Sequence, residues 1–324
     1  MIKVDLITGF LGSGKTTFIK KYVEYLASQH LRVAVIENDY GAINVDRMLL
    51  SEALEGKADV EMVIGGDKDC RIRRFKTKLI SMGMQGYDRV IVEPSGIYDV
   101  DEFFDVLHEA PLDQWYEIGN VIALVNSRLE ALSKQSDYVL ASEVAYAGKI
   151  ILSRVDEAKE DDIKHTIDHL NKALREHHSQ RDITNDIIAK RWDDYRDEDF
   201  AGIMESGYQL GIFYKQAIDD DFFRSLFFLN VHLDKAGLKQ KANSVFRDPN
   251  VGHVIRIKGF VNEDGQWYEV NATKDDIHVE AINDGQEVII VIGEQLDEEK
   301  LHQYFQQVGN YLFFDIKKKQ EILL

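Results

Sequence analysis

At 324 residues the chain exceeds what one compact core usually supports, so two domains are expected, each large enough to bury its own core. With 39 Lys plus Arg against 57 Asp plus Glu the formal charge is -18, which repels a polyphosphate duplex at long range and argues against a nucleic-acid partner. One cysteine permits no internal disulfide, no apolar run approaches the roughly 18 residues that span a bilayer, and MIKVDLITGF lacks the parts of a secretory signal, so a cytoplasmic protein without a membrane partner is expected.

The first half alternates β-branched runs with amphipathic stretches: VDLIT, TTFIKKYVEYLASQ, RVAVIEN, EMVI, DRVIVE, NVIALVN and KIILS. This rhythm predicts an α/β fold, a doubly wound and mostly parallel sheet covered by helices. In the first helical stretch Phe18, Ile19, Tyr22, Val23 and Leu26 repeat near 3.6 residues and mark the face that meets the sheet. Residues 157 to 221 are polar, include the helical DDIKHTIDHLNKALREHH, and end in the acidic run 219 to 221, which sets the domain boundary. Beyond it FFRSLFFLN, GHVIRIKGFV, QWYEVNATKDDIHVEAI and EVIIVI read as strands, with LDKAGLKQKANSVF and DEEKLHQYFQQV as helices. The organisation expected is 1 to 210 as the α/β domain and 222 to 324 as a smaller α+β carboxy-terminal domain.

GFLGSGKTT, residues 9 to 17, fits the P-loop pattern with Gly9, Gly14, Lys15 and Thr16 at the fixed positions, after a strand and before a helix. Glycines let backbone N–H groups turn toward phosphate oxygens, the helix start directs its positive end at them, and Lys15 adds a point charge. Gly12, Ser13 and Thr17 complete the cradle. Thr16 offers its hydroxyl to Mg²⁺, and the second acid that such a metal needs is Glu93, at the end of the apolar run in RVIVEPSGIYD. Gly96, three residues on, could sense a terminal phosphate through its N–H. A guanine reader usually ends a later strand with Asn-Lys-x-Asp. Here KIILSRVDE places Ser153, Arg154 and Asp156 there, with Asp156 able to accept from the base edge and Arg154 able to stack on the ring, while Ser153 offers less than Asn.

Together GFLGSGKTT, ENDYGAINVD at 37 to 46, VEPSG at 92 to 96 and SRVD at 153 to 156 resemble the CobW-like P-loop GTPases, metal chaperones and cobalamin-synthesis-related proteins. VIRIKGFV at 254 to 261 and VIIVIGEQLDEEKL at 288 to 301 resemble that family's carboxy-terminal domain, and Glu93 matches its unusual Glu in the Walker B position. The resemblance implies GTP hydrolysis with Mg²⁺ to GDP, catalytic roles for Lys15, Thr16, Glu93 and Asp39, and a switch segment on Asn38, Asp39, Tyr40 and Gly41. It also implies transfer of a divalent transition metal such as Zn²⁺ to a client protein.

The family's Gly-Cys-x-Cys-Cys metal loop falls here on Gly66, Asp67, Lys68, Asp69 and Cys70, so two thiols have become carboxylates. Two carboxylates with one thiolate make a harder and less selective site than thiolates, which Glu37 and Asp39 could complete. Arg71, Arg73 and Arg74 oppose a cation there and could pair with the aspartates instead, or favour a reactive thiolate at Cys70. A metal site, a salt-bridged loop and a reactive thiol all stay open. His165 and His169, four apart on a helical stretch, lack a third ligand at fixed spacing.

The expected protein is therefore a slow GTPase coupling nucleotide state to metal delivery, with Asp39 and Asp46 placed to feel loss of the γ-phosphate. A nucleotide-gated adaptor without cargo metal, and an ATP-dependent small-molecule kinase, are the alternatives.

Overall fold

The six β-branched runs of the first half and one short further strand build one parallel sheet. In this computed structural model, which describes residues 1–39, 45–64, 68–94, 100–210 and 222–305, the first unit runs β1 Ile2–Thr8, α1 Lys15–Ser28, β2 Val33–Asp39, α2 Val45–Ala53, β3 Ala58–Ile64 and α3 Lys68–Gly83. It continues through β4 Arg89–Glu93, α4 Val100–Leu107, α5 Leu112–Trp115, β5 Tyr116–Asn126, α6 Lys134–Tyr146, β6 Lys149–Ser153, α7 Glu160–Glu176, β7 Ile187–Ala189 and α8 Asp197–Met204. Side chains of residues 38, 39, 45–48, 64, 68 and 69 also fall outside the described set. The strand order is β3-β2-β4-β1-β5-β6-β7, with parallel pairing throughout.

The predicted face of α1 is the one buried: Phe18, Ile19, Tyr22, Val23 and Leu26 are fully enclosed and cluster with Ile7, Val35, Ile91, Ile122, Leu124 and Ile151 from the strands. Each such side chain contributes about 1.5–3 kcal/mol by leaving water. The seventh strand, β7, is a finding: it lies in the polar stretch that the sequence marks only as helical pieces, and three residues are too few to show a period.

The chain divides into two compact units, Met1–Ser225 and Leu226–Leu324. The second sheet has the order β11-β10-β9-β12-β8, from β8 Phe223–Leu229, β9 His253–Glu263, β10 Gln266–Ala272, β11 Ile277–Ile282 and β12 Val288–Glu294. Strands β9 to β12 pair antiparallel. Helices α9 Lys235–Arg247 and α10 Glu298–Phe305 cover it, with Leu238, Ala242, Leu301 and Phe305 seated on Ile257, Val261, Val270 and Ile289. No helix among the described residues is long and apolar enough to cross a membrane.

This topology aligns the carboxyl ends of the parallel strands along one edge. The chain leaves β1 toward β2 on one side and reaches β5 on the other, so the end of β1 opens a crevice at a switch in strand order, where α/β sheets bind ligands.

Candidate nucleotide site

The turn between β1 and α1 holds its shape through glycine. Gly9 has φ 149°, and a Cβ there would lie 2.4 Å from the Leu124 carbonyl oxygen and 2.6 Å from Ser13 Oγ. Gly14, the residue capping α1, has φ 87°, a left-handed conformation that side chains resist. The Ser13 amide closes the turn onto the Phe10 carbonyl at 3.1 Å. No acid sits in the first turn of α1, so nothing there opposes the helix's positive end.

Around that turn the polar groups converge. Lys15 is buried, and its Nζ donates to the Gly9 carbonyl at 2.6 Å, which holds the ammonium folded over the loop. Ser13 Oγ is buried with no hydrogen-bond partner among the described residues, an arrangement suited to an incoming acceptor oxygen. Thr16 Oγ1 donates to Glu93 Oε1 at 3.1 Å, joining residues 77 positions apart. Glu93 is itself buried at the end of β4. A hydroxyl and a carboxylate at the start of a helix, beside a phosphate cradle, form the oxygen donor set that Mg²⁺ takes. Thr17 is exposed beside it, and Gly12 has φ 75° within the same turn.

The segment from Ser153 to Asp156, expected from the sequence to read the base, lies alongside. A Cβ on Gly14 would come 3.5 Å from the Ser153 Cβ, so the end of β6 borders the phosphate loop. Ser153 is buried, and the Ser127 amide donates to its carbonyl at 3.0 Å. Arg154 takes φ 54°, its carbonyl accepts from Ser127 Oγ at 3.0 Å, and its guanidinium lies 3.8 Å from the Glu157 carboxylate. Asp156 is exposed on the turn that follows, available to a ligand.

The metal-loop residues are brought together only in part. Glu37 is buried at the end of β2, paired in register with Glu93 of β4. Cys70 is half-buried in the first turn of α3, so the segment read as a loop is helical from Lys68 onward. Arg71 is half-buried, and Arg73 and Arg74 are exposed, on the same helix. Tyr40, Gly41, Gly66, Asp67 and Gly96, with the side chains of Asn38, Asp39, Asp46, Lys68 and Asp69, lie outside the described residues. Among the described residues no three His, Cys, Asp or Glu side chains are placed to hold a metal ion. His169 is occupied instead by Asp137, Nε2 to Oδ1 2.6 Å.

One residue escaped the sequence reading. Glu143 on α6 is fully buried beneath the loop and accepts from Thr8 Oγ1 at 2.9 Å. Its segment, ASEVAY, reads like any helix surface acid, and no motif points to it.

Comparison with known proteins places both parts of the chain. Residues 3–184 match the family model CobW/HypB/UreG, nucleotide-binding domain, and residues 216–308 match the cobalamin synthesis protein cobW C-terminal domain. The zinc chaperone YjiA of Escherichia coli (strain K12) is 33% identical over 177 residues, 51% of this chain and 52% of YjiA. The zinc chaperone YeiR of the same organism is 27% identical over 157 residues, 46% of this chain and 47% of YeiR. The chain spans about half the length of the curated relatives it matches. The solved zinc-bound YjiA GTPase from E. coli aligns over 94% of this chain and 99% of its own, at 18% identity and a TM-score of 0.39. With a nucleotide-binding domain matched over more than half its length and the cobW C-terminal domain after it, the chain belongs to the CobW/HypB/UreG family of P-loop proteins, in its CobW type.

Proposed function

We propose that this protein binds and slowly hydrolyses GTP with Mg²⁺, and that its nucleotide state governs delivery of a divalent transition metal, Zn²⁺ or a close relative, to a client protein. The observation that carries the reading is the Thr16–Glu93 contact at the mouth of the glycine turn, because it unites two distant motifs in the arrangement a magnesium–phosphate site requires. Gly9, Gly12, Ser13, Gly14 and Thr17 would line the phosphates and Lys15 would neutralise them. Thr16 and Glu93 would organise Mg²⁺ directly or through water, which supplies charge stabilisation at the transferred phosphoryl group. Ser153, Arg154 and Asp156 would select guanine, Gly96 would report the terminal phosphate, and Asp39 would relay its loss to the switch segment. Residues 1–210 would form the GTPase unit and 222–324 the unit for coupling or client contact, in the cytoplasm. The zinc-chaperone relatives support cargo delivery as part of this reading.

Glu93→Gln keeps the shape of the side chain and removes its charge. GTP turnover is expected to fall about 100-fold while GDP affinity changes less than about tenfold, because the residue acts through the metal. Equal loss of both would assign Glu93 to the fold instead. Asp156→Ala is expected to weaken GDP binding about 100-fold and leave ADP binding within about threefold, since two charge-assisted bonds to the base are lost. Unchanged preference for GDP over ADP would remove the base-reading role.

The cargo step is tested by zinc titration of the nucleotide-free, GDP-bound and GTP-analogue-bound protein. Affinities that differ among the three states support delivery. A nucleotide-gated adaptor without cargo is the second reading. It is favoured by the replacement of two thiols by Asp67 and Asp69, which leaves Cys70 as the only thiol in the chain. Absence of zinc binding in all three states selects it.

A further inference from the structure

The phosphate loop rests on a buried carboxylic acid that the nucleotide reading leaves unused. Glu143 is 0% exposed. One of its oxygens, Oε1, accepts from the hydroxyl of Thr8, the last residue of β1, at 2.9 Å. The other, Oε2, has no hydrogen-bond partner among the described residues. Thr8 leads directly into Gly9, whose backbone N–H also favours the Glu143 carboxylate, and Gly9 O is where the Lys15 ammonium is anchored. Glu143 therefore meets the loop where it leaves β1 and feels the Lys15 charge folded back over that same end.

Burial pushes this carboxyl up to about 7, against the pull of the Lys15 charge, the Thr8 hydroxyl and the Gly9 amide. Lys15 is the one charge that acts on it among the described residues. Of the elements packed on α6, β5 is apolar over residues 121–125, and α4 buries Phe103 and Phe104 while Asp101, Glu102 and Asp105 reach solvent. Helix α7 presents His169, which is taken by Asp137 of α6, and His177 meets the Tyr138 ring, while Arg181 donates to the Val144 and Ala145 carbonyls at the end of α6 and pairs with Asp186. A carboxylate with one counter-charge and one unsatisfied oxygen is poised to be neutralised when that counter-charge is shared. Entering phosphates would do this, since they draw on the Lys15 ammonium and bring like charge to the same side of the loop.

We propose that Glu143 is a positioning residue of the phosphate loop, and that its carboxylate takes up a proton from solvent when a guanine nucleotide enters, making nucleotide affinity proton-linked through this side chain. The inference rests on the phosphate-loop reading. As a neutral acid Glu143 no longer competes with phosphate for Lys15, and its Thr8 contact keeps the end of β1 in place.

Linkage fixes the sign. If the acid is held more tightly protonated in the complex, affinity is highest in acid and falls as pH rises from its free value of about 7 toward its value in the complex. Mg²⁺·GDP binding to the full chain is measured by calorimetry in buffers of different ionisation enthalpy, with Glu143→Gln alongside; ionisation of GDP itself is common to both proteins and cancels. The unmodified protein is expected to take up about half a proton or more beyond Glu143→Gln, and to lose roughly tenfold more affinity between about pH 6.5 and pH 8.5. Equal proton numbers and equal pH slopes overturn the proposal. A second readout needs no variant: infrared difference spectra of the unmodified protein, GDP-bound minus free at about pH 7.5, just above the free value, should gain a protonated-carboxyl C=O band, and its absence overturns the proposal. GDP binding without the extra proton removes only this inference, whereas absence of any binding heat removes the phosphate-loop reading with it.

Discussion

Lys15→Ala is expected to weaken Mg²⁺·GTP and Mg²⁺·GDP binding by about 100- to 1,000-fold, which corresponds to about 3–4 kcal/mol and to the loss of one or two charge-assisted hydrogen bonds to phosphate. The size of the effect follows from where the charge sits. The chain as a whole carries -18 and repels a nucleotide at long range, but at physiological salt that field is screened within about 8 Å. Inside that distance the balance is set by the loop amides, the helix start and this one ammonium, already folded over the turn by its bond to Gly9 O at 2.6 Å. The substitution also strips Glu143 of its counter-charge, so part of the loss belongs to the free protein. A double-mutant cycle with Glu143→Gln separates the two: if the residues share one charge balance, Glu143→Gln will raise affinity at alkaline pH in the protein that keeps Lys15 and leave it unchanged in Lys15→Ala. Calorimetry on the four proteins gives the result. Nucleotide affinity that survives Lys15→Ala would undo the phosphate assignment.

What the sequence could reveal divides along the distance over which each feature is built. The glycine turn is contiguous, with its pattern contained in residues 9 to 16, so the motif could be read directly. Helix α1 was legible because its apolar residues recur with the helical period and all face one sheet. Thr16 and Glu93 could be paired in advance since each follows a recognisable strand, even though their contact spans 77 residues. Glu143 could not. Helix α6 is enclosed on nearly every side from Ser136 to Ala145, so its sequence shows no polar face against which a buried acid would stand out. Its hydrogen-bond partner, Thr8, lies 135 residues away. Cys70 was misplaced for a related reason: Lys68 to Arg74 carries so many charges that helical periodicity becomes visible only at Phe75, Leu79 and Met82.

Breaking the ion pair inside the first sheet is expected to have the largest effect on stability. Asp5, in the middle of β1, is completely buried and meets Arg89 of β4 at 2.5 Å, Oδ2 to Nη1. Tyr22 of α1 donates to the same oxygen at 2.9 Å, and Asn120 of β5 donates to Oδ1 from its amide at 2.9 Å and its side chain at 3.0 Å. Burial pushes the Asp5 carboxyl above its ordinary value, and the Arg89 charge with these hydrogen bonds pulls it back. Arg89→Ala leaves that carboxylate without a cation, at a cost of about 3–5 kcal/mol. By contrast, the half-exposed Lys57–Glu24 pair should be worth less than about 1 kcal/mol. Urea unfolding in a Trp267→Phe background reads the first unit through Trp115 and Trp192 alone. Because the Asp5 carboxyl is raised in the folded chain, its contribution to stability is greatest in acid and declines as pH rises through its ordinary range to its folded value. Arg89→Ala widens that window, so its penalty should be full at neutral pH and shrink as the solution is acidified. Adding Asp5→Asn to Arg89→Ala should recover most of the loss, because the amide keeps an acceptor for Asn120 while the stranded charge disappears. The same network ties together β1, β4, α1 and β5, which between them carry the glycine turn, Glu93 and the floor of the cleft. GDP affinity should therefore fall with stability in Arg89→Ala and return with it in the double variant. Full affinity in a destabilised Arg89→Ala protein would show that the loop holds its geometry without this buried anchor.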